Sequence, residues 1–197
     1  YGFPESHSAS FALLAYVSAW LKCHHPAAFY VGLLNSQPMG FYSPSQLIQD
    51  ARRHHIMVLP VDVNHSSWDH QILSSADQQQ PPSRLGLRLI KGLSEAAGQR
   101  IHTAQRQRTF ANVADLRQRA CLDRGDMEAL AAADALSGIS GNRYQSHWQT
   151  MALEDHRPLL TNEGAVQRSQ DDSVVTAAPT LPEDVIADYQ STGLTLR

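Results

Sequence analysis

Cysteine is scarce: Cys23 and Cys121 are the only two in 197 residues. Their separation gives neither a disulfide framework nor the paired ligands of a four-coordinate zinc site, and it suits a reducing cytoplasm. Histidine is plentiful, but Cys23-His24-His25, His54-His55 and His65 with His70 lack the i, i+4 helical spacing or CxxC pairing that makes a metal site. His102 and His147 are read as surface or half-buried polar groups. No G-x-S-x-G nucleophile elbow occurs, and Cys121 has no recognisable base beside it. Phosphoryl transfer with two metals needs a close pair of carboxylates on a rigid element. Asp62-Val63-Asn64 supplies one carboxylate, and Asp171-Asp172 falls in a stretch read as linker. No catalytic residue, metal site or cofactor is therefore expected in this chain. Residues 11–21 form an apolar run too short to cross a bilayer, and no basic segment precedes them as in a signal peptide. No membrane partner is expected. The sequence lacks an initiator methionine and opens directly onto a helix start, so it is read as a fragment.

What is present is ordinary globular composition, with 42% hydrophobic and 18% charged residues. The net charge of −3 hides a strong asymmetry. From Arg84 to Arg124 lie nine of the 16 Lys and Arg residues against three acids, Glu95, Asp115 and Asp123. From Gly125 onward four Arg face 11 acids. A basic middle precedes an acidic tail, a pattern that admits a polyanion partner despite the negative total.

Ser6 or Ser8 is expected to cap a helix over 9–24 whose apolar residues leave almost no polar face, so that helix is expected to be buried. Pro26 opens a second helix over 27–34, packed on the first, and Ser43-Pro44-Ser45-Gln46 reads as a capping box opening a third to about 54. Residues 56–60 and 85–90 read as two short strands separated by the solvated loop Gln78-Gln79-Gln80-Pro81-Pro82. Helices are expected over 94–105, 112–120, 123–133 and 142–153. A linker over 156–180 and a last helix from 181, with Gly193 at its C-terminal cap, complete the reading. No repeat of solenoid period occurs, only two hairpin-like units.

The most informative stretch is Leu89-Ile90-Lys91-Gly92-Leu93-Ser94-Glu95-Ala96-Ala97-Gly98-Gln99-Arg100-Ile101. It has the form of a helix-hairpin-helix turn: a glycine that lets backbone approach closely, an apolar plug, then a helix N-terminus. Amides from Gly92 to Glu95, including those of Leu93 and Ser94, and the positive end of the helix dipole suit a phosphate, with Lys91 and Arg100 adding charge. Ser94 stands where such hairpins carry a second glycine; it caps the helix at some expense to phosphate approach. The competing reading is a plain glycine turn between packed helices. A looser second unit follows around Phe110, Val113 and Leu116 and then Leu122-Asp123-Arg124-Gly125-Asp126. Arg106, Arg108, Arg117, Arg119 and Arg124 crowd the joint; Arg124 is the one assigned to DNA, and a solvated face is the alternative for each.

The opening YGFPESHSASFALLAY resembles a signature in the fingers of bacterial C-family (DnaE-type) DNA polymerases. The likeness continues through Lys22, His25-Pro26-Ala27, Leu59-Pro60-Val61-Asp62-Val63-Asn64 and residues 87–101, in the family's order. Pro4-Glu5-Ser6-His7 in place of the replicative branch's Asn-Lys-Ser-His, Asn35 to Tyr42 in sequence, and Ser66-Ser67-Trp68-Asp69 are similar to the error-prone branch. Because the lysine is replaced, Glu5 receives no nucleotide-phosphate role, whereas Ser6 and His7 match the motif and are assigned to the vicinity of the incoming nucleotide or primer-template.

The resemblance implies a mainly α chain with a small β element: the C-terminal end of the fingers (1–55), a tandem helix-hairpin-helix domain (56–155), a partly disordered linker (156–180) and a helix (181–197) leading to an OB-fold outside the chain. It implies a parent DNA-directed DNA polymerase with two Mg²⁺ ions held by palm aspartates N-terminal to Tyr1, so this segment is expected to be inactive alone. It also implies error-prone translesion synthesis after DNA damage, with a Y-family-like subunit and a recombinase-type protein as accessory partners. No QxxLF-like clamp motif lies between Met151 and Leu181, which suits indirect contact with the sliding clamp. Primer-template DNA is the expected partner of the hairpins; the alternative is a protein-interaction scaffold whose acidic end docks accessory factors.

Overall fold

Proline fixes where the first three helices begin. The computed structural model describes residues 4–74, 80–153 and 176–197; Tyr1 to Phe3, most of the expected linker and part of the glutamine-proline loop lie outside them. α1 (Glu5–His24) starts after Pro4, which has φ −60° and ψ 120° and is the N-cap. Ser6 and Ser8, expected as caps, instead lie inside the first turn, where Ser8 Oγ donates to the Pro4 carbonyl and Ser10 Oγ to that of Ser6. α2 (Pro26–Asn35) has Pro26 at its first helical position, where a missing N–H costs nothing. α3 (Pro44–Arg53) carries the expected capping box: Gln46 N donates to Ser43 Oγ at 3.3 Å and Ser43 N to Gln46 Oε1 at 3.0 Å.

The expectation that α1 is buried is overturned. It packs on α2, yet none of its residues is buried, and Phe11, Leu14 and Tyr16 are 57%, 62% and 70% exposed. A helix apolar all round needs cover on every side, and among the described residues cover comes from one side only.

Three two-residue strands, β1 (Val58–Leu59), β2 (Gln71–Ile72) and β3 (Ser83–Arg84), form a sheet in the order β1-β3-β2, with β1 and β3 parallel and β2 and β3 antiparallel. The strand expected over 85–90 is not there. Leu87–Leu89 is a 3₁₀ turn, because the backbone at Gly86 comes so close to Trp68 and Asp69 that a Cβ would stand 2.4 Å from their atoms. The amides of Leu87 and Arg88 then bond the Ser67 and Trp68 carbonyls, not a neighbouring strand. Leu85 N still donates to Leu59 O of β1 at 3.0 Å, so strand-like pairing ends at Leu85, and the burial of Leu87 belongs to the turn.

The remaining helices are α4 (Glu95–Gln107), α5 (Val113–Ala120), α6 (Arg124–Ala132), the short α7 (Ser137–Ser140), α8 (Arg143–Met151) and α9 (Leu181–Ser191). The side chains of Ser94, Asn112, Asp123 and Asn142 accept from the amide three residues on in α4, α5, α6 and α8. Each such cap is worth about 1 kcal/mol. One main core joins Leu47 and Ile48 of α3, Leu87, Ile90, Ile101, Leu116 and Leu130 with Leu194 from beyond α9. It thus takes side chains from both sides of residue 55 and from the last segment. The chain is mainly helical with a small sheet. Among the described residues no helix is long and apolar enough to cross a membrane.

Candidate nucleic-acid interface

The turn before α4 is built from burial on one side and open amides on the other. Ile90 and Leu93 are 2% and 7% exposed and plug the core, while Gly92 between them takes φ +87°, a conformation that side chains rarely adopt. Ser94 Oγ accepts from Ala97 N at 3.1 Å. That satisfies one of the four orphan donors of a helix start. The amides of Gly92, Ser94, Glu95 and Ala96 have no hydrogen-bond partner among the described residues, and all four residues are exposed. Open N–H groups at the positive end of a 13-residue helix are of the kind that suits an anion's oxygen.

The platform beneath is closely packed. A Cβ on Gly98 would stand 2.4 Å from Trp68 Cε3, so α4 lies directly on the indole. His70, 5% exposed, accepts from Gly86 N at 3.0 Å through Nδ1, and burial, with the Arg88 charge adding to it, lowers its pKa to about 4. Neutral His70 thereby holds the segment that leads into the turn.

The cations assigned from sequence point elsewhere. Lys91 Nζ donates to the Tyr189 and Gln190 carbonyls at the end of α9, 3.0 and 2.9 Å away. Arg100 donates to Ala120 O at 2.9 Å and to Asp126 Oδ2 at 3.2 Å, closing the end of α5. Arg119 returns the favour, donating to the Ala104, Arg108 and Thr109 carbonyls at the end of α4 and lying over the Phe110 ring. Arg108 and Arg119 both pair with Asp115; burial alone would raise this carboxyl's pKa, but the Ala111 amide and the two arginines outweigh it and hold the group below its ordinary value. Arg124 pairs with Glu128 at 2.8 Å and Arg117 donates to Leu153 O. Among the nine cations of the basic middle, Arg106 alone has no partner among the described residues. The local positive charge is spent mostly on helix ends.

A second turn repeats the first. Cys121 takes φ +49°, Leu122 is 5% exposed, and Asp123 caps α6, as Gly92, Leu93 and Ser94 do before α4. Its helix start carries two carboxylates of its own: Asp126 N donates to Asp123 Oδ1 at 2.8 Å and Asp123 N to Asp126 Oδ2 at 3.4 Å. Burial, with the Asp123 charge adding to it, raises the pKa of Asp126, while Arg100 opposes that rise.

Ser6 and His7 lie in the exposed first turn of α1, where the His7 ring meets that of Phe11 at a tilt, centroids 4.4 Å apart. Sequence reading missed the packing of Trp68 under α4, the bond from Gly86 to His70 and the partnership of Lys91 with α9. The last is a contact across about a hundred residues, which no local pattern carries. Among the described residues, no three His, Cys, Asp or Glu side chains are grouped to hold a metal ion.

A model of the helix-hairpin-helix motif matches residues 55–146, the region that holds both turns. The whole chain is 54% identical to a protein of Saccharophagus degradans named error-prone DNA polymerase, 53% identical to one of that name from Teredinibacter turnerae and 52% to one from Methylococcus capsulatus. Each alignment covers 100% of this chain but only 19%, 19% and 20% of the relative, so the chain spans about a fifth of the length of the curated relatives it matches. Along its entire length, then, this helical chain with its paired hairpins is similar to one segment of bacterial proteins named error-prone DNA polymerase.

Proposed function

We propose that this chain is the duplex-holding segment of an error-prone DNA-directed DNA polymerase. It grips primer-template DNA through phosphate oxygens and reads no bases. The observation that carries this reading is the row of exposed, unpartnered amides at Gly92, Ser94, Glu95 and Ala96 in a helix-hairpin-helix motif. Amides at a helix start favour any phosphate equally, which suits an enzyme that must hold every sequence. The parent protein acts in damage-induced mutagenesis and translesion synthesis with a Y-family-like subunit and a recombinase-type partner, reaches the sliding clamp indirectly, and carries its two Mg²⁺ ions in a palm outside this chain. Ser6 and His7 approach the incoming nucleotide or primer-template.

Ala96→Asp tests the grip, because a carboxylate in the first turn of α4 favours the helix and repels phosphate. Duplex affinity, measured by fluorescence anisotropy at two salt concentrations, is expected to fall about tenfold with no loss of Tm. An unchanged affinity would remove DNA from this turn.

A second reading, docking of an accessory protein, draws on Tyr144, Trp148 and Met151, which lie 42%, 50% and 58% exposed at successive turns of α8. Its test is retention of the whole chain by an immobilised accessory subunit and loss of retention on Trp148→Ser.

A further inference from the structure

The lysine nearest the proposed phosphate site is occupied by the far end of the chain. Lys91 N donates to Ser191 O at 2.9 Å, and Lys91 Nζ donates to the Tyr189 and Gln190 carbonyls. These are the last carbonyls of α9, which no residue of the helix itself can satisfy and which carry its negative end. Just beyond them Gly193, at φ +81°, turns the chain away; a Cβ built there would stand 3.9 Å from Lys91 Cε and Nζ. α9 is tied at two further places. Arg143 of α8, 6% exposed, donates to Asp184 O at 3.0 Å and pairs with Asp188. Arg197 pairs with Asp134 at 3.0 Å and Asp184 at 2.6 Å, and Leu194, 3% exposed, enters the main core.

We propose that residues 181–197 form a clasp that fixes the phosphate-facing turn, with Lys91 as its positioning residue and not a phosphate ligand. An ammonium group has three donors, and two of them are committed to α9. The residue just before Gly92 is anchored through its own N–H, which donates to Ser191 O. The open amides that follow are therefore presented from a fixed point, which lowers the ordering cost of binding an anion. By reciprocity, an anion on the turn tightens the clasp, so whatever follows Arg197 is linked to DNA occupancy. This consequence rests on the phosphate-holding reading; the clasp itself rests only on the contacts.

The test uses the whole 197-residue chain. Lys91→Met keeps the stem and removes the donors, Lys91→Arg restores donors, and Gly193→Ala strains the end of α9 without touching charge. Amide hydrogen exchange is followed at Lys91 (residue 91 in each variant) and Gly193 (residue 193 in each variant), and duplex affinity is followed against salt. Lys91→Met and Gly193→Ala are each expected to speed exchange at both positions by about tenfold, with α5 unchanged and Lys91→Arg close to the parent. The slope of log affinity on log salt is expected to stay the same in Lys91→Met. A slope reduced by about one on Lys91→Met, with exchange at residues 91 and 193 unaltered, makes Lys91 a phosphate ligand and overturns the clasp. If no variant binds DNA, the phosphate-holding reading fails, while the exchange rates still decide the clasp.

Discussion

The two hairpin turns share a backbone and differ in what fills it. Both run through a left-handed residue, a buried leucine and a capping side chain: Gly92, Leu93 and Ser94 in one, Cys121, Leu122 and Asp123 in the other. The first cap is neutral and leaves four amides open; the second is a carboxylate joined by a second carboxylate from Asp126. The same helix-start geometry that attracts a phosphate is, in the second turn, already occupied by anions of its own. Motif geometry alone therefore does not make a binding site, and the grip proposed for this chain is one-sided.

Acidification separates the hairpins most strongly, because only the approach to the first depends on His70. The folded pKa, lowered to about 4 from 6.5, means that the neutral ring is favoured by folding. Its contribution is complete above 6.5 and is lost as pH falls through about 4. That amounts to roughly 3 kcal/mol. Urea unfolding at stepped pH should show this loss against a His70→Asn baseline, and identical pH profiles for the two proteins would show that the ring does not hold the turn's approach.

Arg119→Met removes the donors that close α4 and is expected to cost about 2 kcal/mol, read as a lower Tm. A change of less than a few tenths would mean that solvent closes that helix end equally well.

Ser94→Asp gives the first turn the cap of the second. Duplex affinity is expected to drop about tenfold while stability holds, since Asp and Ser cap equally well. Retained affinity would break the comparison. The reverse exchange, Asp123→Ser, leaves Asp126 in place and should raise affinity by no more than about threefold. A larger gain would show a second phosphate site waiting behind one side chain.

Much of this was legible along the chain. The Ser43 box, the caps at Ser94, Asn112, Asp123 and Asn142, and the plug residues around Gly92 follow from local chemistry, and the structure has the helices they announce. The 3₁₀ turn at Leu87 was not legible, because it arises from the contact of Gly86 with Trp68 and Asp69. Nor was the fate of the basic middle: Arg100 and Arg119 read as a cationic face, yet each closes the other's helix.

The sequence by itself determined where α3, α4, α5, α6 and α8 start, because their caps depend on neighbours within a few positions. Only the tertiary structure decided which amides stay open and which cations stay free. A hydrogen-bonding group is available to a partner only if nothing within the fold reaches it first, and for Lys91 the group that reached it lies about a hundred residues away.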